Sequence, residues 1–142
     1  MTDRISSEQR RHNMQRIKAK DTRPEIAVRK WLYAKGIRYR KNDKRYPGTP
    51  DIIIPNGHVA IFINGCFWHG HEGCKDFVIP KTRTDWWIKK ISSTQTRDEK
   101  VSKQLQDLGW HVLTVWECQT KFNFEQNMET LLASIRKLRS ME

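Results

Sequence analysis

The sequence of 142 residues lacks any long hydrophobic run, and its mean hydropathy is only -0.81. A membrane-spanning helix needs about 20 mostly apolar residues, so the sequence predicts no such helix. Residues 1–4 also lack the apolar stretch of a secretory signal peptide. We therefore expect a cytoplasmic protein with no membrane partner.

Cysteine is scarce as well, with three in the chain. In a protein without an export signal, three cysteines are expected to be thiols or metal ligands rather than a disulfide framework. Hydrophobic residues make up only 37%, yet six Trp and five Phe are enough for a small core, which argues against disorder throughout. The length fits one domain, which we place at residues 21–142, preceded by a short arm at residues 1–20.

Acidic residues are few, with 16 Asp and Glu against 27 Lys and Arg, which gives a net charge of +11. Residues 1–45 alone hold 15 basic and 5 acidic residues, so nearly all the excess lies in the first third. A basic region beside a nearly neutral remainder predicts a polyanionic partner, with nucleic acid first. An acidic membrane surface is the alternative, which the absence of a basic amphipathic segment with aromatic residues disfavours.

The hydrophobic periodicity predicts an α/β fold with a small mixed sheet flanked by helices. A capping-box signal at 22–25 opens one helix, Asn56-Gly57 predicts a hairpin, and Thr84-Asp85 predicts the N-cap of a long helix. The first predicted helix begins near residue 6, and the others cover 22–36, 84–108 and 124–139. The predicted strands cover 51–54, 58–63 and 110–116, with a weaker candidate at 37–45.

A metal-binding pattern occupies the loop after the second predicted strand. Cys66, His71 and Cys74 fall within nine residues, and Cys118 follows the last predicted strand. Three thiolates and one imidazole make a normal tetrahedral shell for structural zinc. The alternative is that the cysteines are buried apolar side chains and that His71 is a surface histidine. The zinc interpretation predicts that this loop is tied to the end of the last strand.

Two residues are candidates for hydrolytic chemistry. Asp51 opens a predicted strand, where a carboxylate at the sheet edge can hold Mg2+, although Asp in a turn is also common. His69 lies in the loop with the metal-binding pattern and could act as a general base for water, or simply be a surface histidine. Glu25 has an ordinary interpretation as the capping-box partner of Thr22.

Two pairs of bulky aromatic residues complete the pattern, Phe67-Trp68 in a loop and Trp86-Trp87 at a helix start. Aromatic rings near basic side chains suit stacking on bases or insertion between base steps. Core packing is the alternative, and adjacent helical residues, 100° apart, cannot both face a core squarely. The loop placement of Phe67-Trp68 favours a role in binding for that pair.

These motifs together resemble one known family. Gly65-Cys66-Phe67-Trp68-His69, preceded by Pro-Gly-Thr-Pro-Asp at 47–51 and followed by Thr-Arg-Thr at 82–84 and Trp-Glu-Cys at 116–118, resembles the very short patch repair (Vsr) mismatch endonucleases. The resemblance runs from about Asn13 to Cys118. It implies a restriction-endonuclease-like α/β core, a mixed β-sheet flanked by helices with a structural zinc site. It also implies Mg2+-dependent nicking of duplex DNA on the 5′ side of the thymine in a T·G mismatch, the lesion left when 5-methylcytosine deaminates.

The resemblance also implies roles for individual residues. Asp51 and the backbone carbonyl of Ile63 would bind Mg2+, and His69 would activate water. Glu25, Asn64 and Asp98 would support the reaction at the catalytic site. The zinc ligands would be Cys66, His71, Cys74 and Cys118, and the DNA contacts would come from Phe67, Trp68, Trp87, Lys90 and, on the N-terminal arm, Met14 and Ile17.

The sequence departs from the better-known members at Asn64, where they carry histidine. An amide can donate a hydrogen bond to a leaving oxygen but cannot become an imidazolium. Thr94 stands where a known member has asparagine, which bears on mismatch recognition. The resemblance implies a bacterial cytoplasmic protein linked to a cytosine-5 DNA methyltransferase and to mismatch-repair proteins. We expect a monomer, since nicking one strand of an asymmetric lesion requires only one active site. The functional alternatives are a non-catalytic zinc-containing DNA-binding module and a restriction-type endonuclease that needs no mismatch.

Overall fold

The computed structural model describes residues 22–141, so the predicted N-terminal arm, with Met14 and Ile17, lies outside the described residues. Within this range the protein is α/β, as predicted. The elements in chain order are α1 (Arg23–Ala34), β1 (Arg40–Lys41), β2 (Ile52–Ile54), β3 (Val59–Asn64), α2 (Thr84–Asp107), β4 (His111–Trp116), α3 (Glu117–Lys121) and α4 (Phe124–Ser140).

The strands form one mixed sheet in the order β1-β2-β3-β4. β1, β2 and β3 are antiparallel neighbours, and β4 runs parallel to β3 from the Val59–His111 pair to the Asn64–Trp116 pair. The predicted hairpin at Asn56-Gly57 is confirmed, since it joins β2 to β3. The parallel pair requires a crossover, which α2 provides.

Helices cover both faces of the sheet. Alternate strand residues point to opposite faces, and residues on both faces are buried against helices. Ile52, Ile54 and Ile61 pack against α1 and α4 in the larger core cluster. Ile53 and Ala60, between them in the strands, pack against Leu105 of α2 in a second cluster. This two-sided burial explains why β2 is an uninterrupted run of isoleucine.

The helix starts differ in how well the sequence predicts them. Thr22 caps α1 as predicted, with its Oγ1 accepting from the backbone N–H of Glu25 at 3.4 Å. The predicted Thr84 cap of α2 is wrong, because the N-cap is Arg83 in a left-handed conformation at φ 58°. The hydroxyl of Thr84 instead donates back to the carbonyls of Pro80 and Lys81.

Two further differences concern short elements. The weak strand candidate at 37–45 contracts to Arg40–Lys41, because residues 42–50 form a turn-rich connection. Helix α3, directly after β4, has no counterpart in the prediction. Among the described helices, none combines the length and apolar character needed to cross a membrane.

Candidate active site

A cleft of about 1010 Å³ opens beside the ends of β2 and β3, between the sheet and α2. Six residues predicted for the catalytic site line it together, although they come from five separate segments: Glu25, Asp51, Ile63, Asn64, His69 and Asp98. The other lining residues include Asn42, Lys44, Thr94 and Arg97, of which the sequence analysis singled out only Thr94. Nothing local in the sequence marks the other three, because the fold brings them together.

Asp51 lies immediately before β2 and is half-buried in this cleft. Its Oδ2 accepts a hydrogen bond from the backbone N–H of Ile63 on β3, with N and O 2.6 Å apart. Burial, together with the neighbouring Glu25, raises the pKa of Asp51 to about 7, against the opposing effects of the Ile63 N–H and Arg29. The side chain is therefore fixed in place and costly to ionise without a cation.

Glu25 extends from α1 towards the same point, and a side-chain hydrogen bond joins it to Asp51. Only 4% of Glu25 is exposed, and its Oε2 lies 3.5 Å from Nη1 of the equally buried Arg29. The carboxyl of Glu25 thus takes part in the site, beyond the helix-start role of its backbone N–H. We call Glu25 and Asp51 the carboxyl pair. Two adjacent carboxyl groups offer the all-oxygen donor set that Mg2+ prefers, so these residues fit that ion.

His69 faces the cleft from the loop after β3, and Asp98 reaches it from α2. The Nδ1 of His69 and the Oδ2 of Asp98 are 2.6 Å apart. A carboxylate on Nδ1 fixes the ring orientation and favours the tautomer in which Nε2 is free to accept a proton. Asp98 carries no local sequence signal, and only the family resemblance pointed to it.

The four residues of the metal-binding pattern converge, as the zinc interpretation predicted. One ligand atom each from Cys66, His71, Cys74 and Cys118 lies within 4.8 Å of the other three, so this Cys/His cluster could bind a metal ion. Burial, with the neighbouring thiols, raises the pKa of Cys66 to about 12. A bound cation would favour the thiolates that the protein alone disfavours, and the donor set fits tetrahedral zinc.

The Cys/His cluster also ties the loop to the sheet. The backbone N–H of Cys118 donates to Sγ of Cys66 at 3.4 Å, and the ring of His71 stacks on Trp116 with centroids 4.0 Å apart. Since Trp116 ends β4, the loop is held at the end of the last strand, as predicted. The alternative of unrelated buried cysteines does not explain this convergence.

An aromatic cluster, Phe67, Trp68 and Trp87, lies at the surface close to His69. Ring centroids are 5.3 Å apart for Phe67 with each tryptophan and 5.8 Å for the tryptophan pair. Trp68 is 42% exposed, which is high for a large apolar ring. Trp86, outside the predicted DNA contacts, is 46% exposed and packs edge-on against Trp87. Lys90 is exposed on the same helix.

Asn64 is the last residue of β3, where it is paired with Trp116 of β4, and it lines the cleft together with Asp51 and His69. The position that departs from the better-known family members therefore belongs to the site. Its side chain offers an amide donor and an amide acceptor at neutral pH.

Comparison with known proteins decides the family. A family model described as DNA mismatch endonuclease Vsr matches residues 2–76, more than half of the chain. The chain belongs to the Vsr family. It is therefore a nuclease that acts on DNA, and the predicted family is confirmed. The non-catalytic binding module is excluded by the same finding.

Curated relatives of this Vsr family member are nicking and mismatch enzymes of bacteria. It is 47% identical over 119 residues to the type II nicking enzyme V.XorIIP of Xanthomonas oryzae pv. oryzae, covering 84% of this chain and 87% of the relative. It is 46% identical over 121 residues to V.NmeAIP, also called a type II nicking enzyme, of Neisseria meningitidis, covering 85% and 86%. It is 40% identical over 118 residues to the DNA mismatch endonuclease Vsr of Escherichia coli, covering 83% and 75%.

Proposed function

We propose that this protein nicks duplex DNA on the 5′ side of the thymine in T·G mismatches, with Mg2+, and so starts the repair of deaminated 5-methylcytosine. The observation that carries the proposal is the meeting of the carboxyl pair and the His69–Asp98 pair in one cleft. The family and the name of the Escherichia coli relative support the mismatch substrate. The mixed sheet, with Asp51 immediately before the inner strand β2, also supports a restriction-endonuclease-like fold.

Asp51 and the carbonyl of Ile63 would hold Mg2+, with Glu25 beside them. A bound Mg2+ supplies charge neutralisation at the scissile phosphate and stabilises the leaving oxygen. The Ile63 N–H keeps the Asp51 carboxylate in one orientation, at 2.6 Å. The protein's part is thus a fixed set of oxygen donors, and a bound cation would offset the cost of ionising the buried Asp51 carboxyl.

His69 would act as the general base. Its Nε2 takes a proton from water, the water oxygen bonds to phosphorus, and the bond from phosphorus to the leaving oxygen breaks. Asp98 stabilises the imidazolium that forms, through the 2.6 Å contact at Nδ1. Asn64 can donate a hydrogen bond to the phosphate or to the leaving oxygen, a smaller contribution than that of a protonated histidine.

The aromatic cluster would recognise the weakness of the mispair. Insertion of Phe67, Trp68 and Trp87 between base steps costs unstacking energy, which is lowest at a poorly stacked mismatch. The exposure of Trp68 beside the cleft supports this role. Met14 and Ile17 would insert from the opposite groove, while Lys90 and the basic arm at 1–20 would bind phosphates and make affinity salt-dependent.

The Cys/His cluster would hold a structural zinc ion that maintains the loop bearing His69 and the aromatic cluster. We further propose that residues 21–142 form the nuclease domain and that the protein acts as a monomer in the bacterial cytoplasm. An asymmetric lesion needs one cut on one strand, so a single active site is sufficient. A cytosine-5 methyltransferase and mismatch-repair proteins are the proposed functional partners.

A nicking assay tests this proposal. End-labelled duplexes carrying one T·G mispair in a panel of flanking sequences are incubated with Mg2+ or with EDTA, and matched T·A duplexes serve as controls. We expect a Mg2+-dependent nick immediately 5′ of the mispaired thymine and an intact T·A duplex. Cutting of the T·A duplex at an equal rate would support the restriction-type alternative. Cutting in EDTA would contradict the role of Mg2+.

A further inference from the structure

One stripe of α2 contacts the loop that contains His69. Trp87, Ile91, Gln95 and Asp98 recur at helical spacing, so they share a face of the helix. Trp87 packs against Phe67 and Trp68 at one end of the stripe, and Asp98 holds the imidazole of His69 at the other. Gln95 lies between these two contacts, and the reaction proposed above assigns it no role.

Gln95 binds the backbone of the loop rather than a side chain. Its Nε2 donates to the carbonyl of Gly70 at 3.1 Å and lies 3.4 Å from the carbonyl of His69. One amide nitrogen has two hydrogens, so a single side chain can satisfy both carbonyls. Gln95 and Asp98 are three residues apart on α2, so the same helical turn holds the backbone and the ring of His69.

Gly70 allows this contact because it has no Cβ. Its backbone is left-handed at φ +62°, and a Cβ there would overlap the amide of Gln95 and come within 2.8 Å of Cγ2 of Ile91. The loop can therefore approach α2 this closely only with glycine at position 70. Since Gly70 is buried, the contact is shielded from water.

We propose that Gln95 is a positioning residue for His69, one that fixes the backbone of the general base against α2 while Asp98 orients its ring. Asp98 orients only the ring of His69, so any shift of the backbone at residues 69–70 would carry the imidazole with it. A displacement of about 1 Å at a reacting group can lower a rate about 100-fold. The proposal rests on the catalytic role of His69 proposed above.

The test replaces Gln95→Met, which keeps the length of the side chain and removes both donor hydrogens. We expect the single-turnover nicking rate on saturating T·G duplex to fall about 10- to 100-fold. The Kd for the duplex in Ca2+ should change less than about twofold, and zinc content should match the wild type. Gln104→Met, at an exposed position on the same helix, is the matched control and should nick at the wild-type rate.

A second variant pair probes the close approach. Gly70→Ala should also slow nicking, because the added methyl group displaces the Gln95 amide. In Gly70→Ala/Gln95→Ala the overlap with residue 95 is relieved, and the hydrogen bonds that Gln95→Ala removes are already lost in Gly70→Ala. The double variant should therefore be no slower than Gly70→Ala alone, a non-additive result expected for residues that act as one contact.

The outcomes separate this inference from the proposed function. A wild-type rate for Gln95→Met beside an inactive His69→Ala would overturn the positioning role and leave the general base intact. Full activity of His69→Ala would overturn the role of His69 itself, and the positioning role with it. Equal losses of rate, duplex affinity and zinc in Gln95→Met would show a purely structural side chain and would also overturn the inference.

Discussion

Among the described residues, the Cys/His cluster and the carboxyl pair could each offer ligands to a metal ion, and they differ in nearly every respect. The cluster has four ligands with three sulfur atoms, and the pair has two carboxyl groups at an open cleft. A four-ligand soft set leaves no position for substrate, whereas an incomplete oxygen set leaves room for water and phosphate. The difference fits the proposed roles, in which the cluster holds the loop in place and the pair takes part in the reaction on DNA.

The comparison predicts its largest effect at the carboxyl pair. Asp51→Asn should lower the nicking rate on the order of 10³-fold, since loss of a metal ligand removes several kcal/mol of charge stabilisation. Zinc content and duplex affinity should stay at wild-type values. Asp107→Asn, at an exposed residue at the end of α2, is the control and should nick normally. A fully active Asp51→Asn would contradict the role of the carboxyl pair as the catalytic metal site.

The His69–Asp98 pair should show the next largest effect on activity. His69→Ala should slow nicking about 10²-fold, the lower end of the usual contribution of a general base. Asp98→Asn should cost less, because the imidazole remains and loses only its orienting carboxylate. Single-turnover rates on one T·G duplex measure both variants, with the exposed neighbour Glu99→Gln as the reference. An Asp98→Asn defect that exceeds that of His69→Ala would assign Asp98 a role beyond orienting this ring.

Loss of the Cys/His cluster should lower the thermal stability of the protein, whereas the carboxyl pair and His69 should mainly affect the nicking rate. Cys118→Ser should lose the metal and lower the Tm by roughly 10 °C or more, because binding of a structural zinc contributes directly to folding. A zinc-selective chelator with Mg2+ in excess should reproduce this shift in the wild type. Metal analysis and thermal melts measure the effect, and an unchanged Tm after complete zinc removal would contradict a structural site.

The sequence predicted some parts of this architecture and could not predict others, for physical reasons. The strand β2 and the turn at Asn56-Gly57 follow from local preferences, because the apolar run and the turn residues are contiguous. The Cys/His cluster was predictable because three of its ligands share one short loop and cysteine has few other uses there.

The catalytic cleft was less predictable because its parts are distant along the chain. The contact of Glu25 with Asp51 depends on the packing of α1 against the sheet, and the contact of Asp98 with His69 depends on the crossover helix. Family resemblance named these residues, but it did not reveal Gln95. The N-cap of α2 was predicted at the wrong residue because Arg83 begins the helix with a left-handed backbone conformation. It has no side-chain oxygen of the kind that marks a cap in the sequence.

A smaller effect is expected at the aromatic cluster, in which Phe67 and Trp68 lie between Cys66 and His69 along the chain. Trp68→Ala should weaken binding to a T·G duplex by about 1–3 kcal/mol, the usual loss for one stacking ring. The loss should be smaller for T·A duplex, because the matched step resists opening. Fluorescence anisotropy in Ca2+ measures both affinities, and Tyr33→Ala tests an exposed aromatic outside the cluster. Equal losses on both duplexes would show that Trp68 binds DNA without sensing the mispair.

The smallest effect is a change in the Tm of Asp51→Asn relative to the wild type. Its sign should differ with and without Mg2+. Burial raises the pKa of Asp51 to about 7 from its ordinary value of 3.8. Between these two pH values the folded protein binds a proton that the unfolded chain has released, so metal-free stability falls as pH rises through this range. Asp51→Asn removes this cost, and its Tm in EDTA should exceed that of the wild type by more at pH 8 than at pH 5. Mg2+ should reverse the order at pH 8, because the ionised carboxylate is then the form that binds the cation. Thermal melts at both pH values, with and without Mg2+, measure the four differences, and a Tm advantage independent of pH would show that the buried carboxyl is not the group responsible.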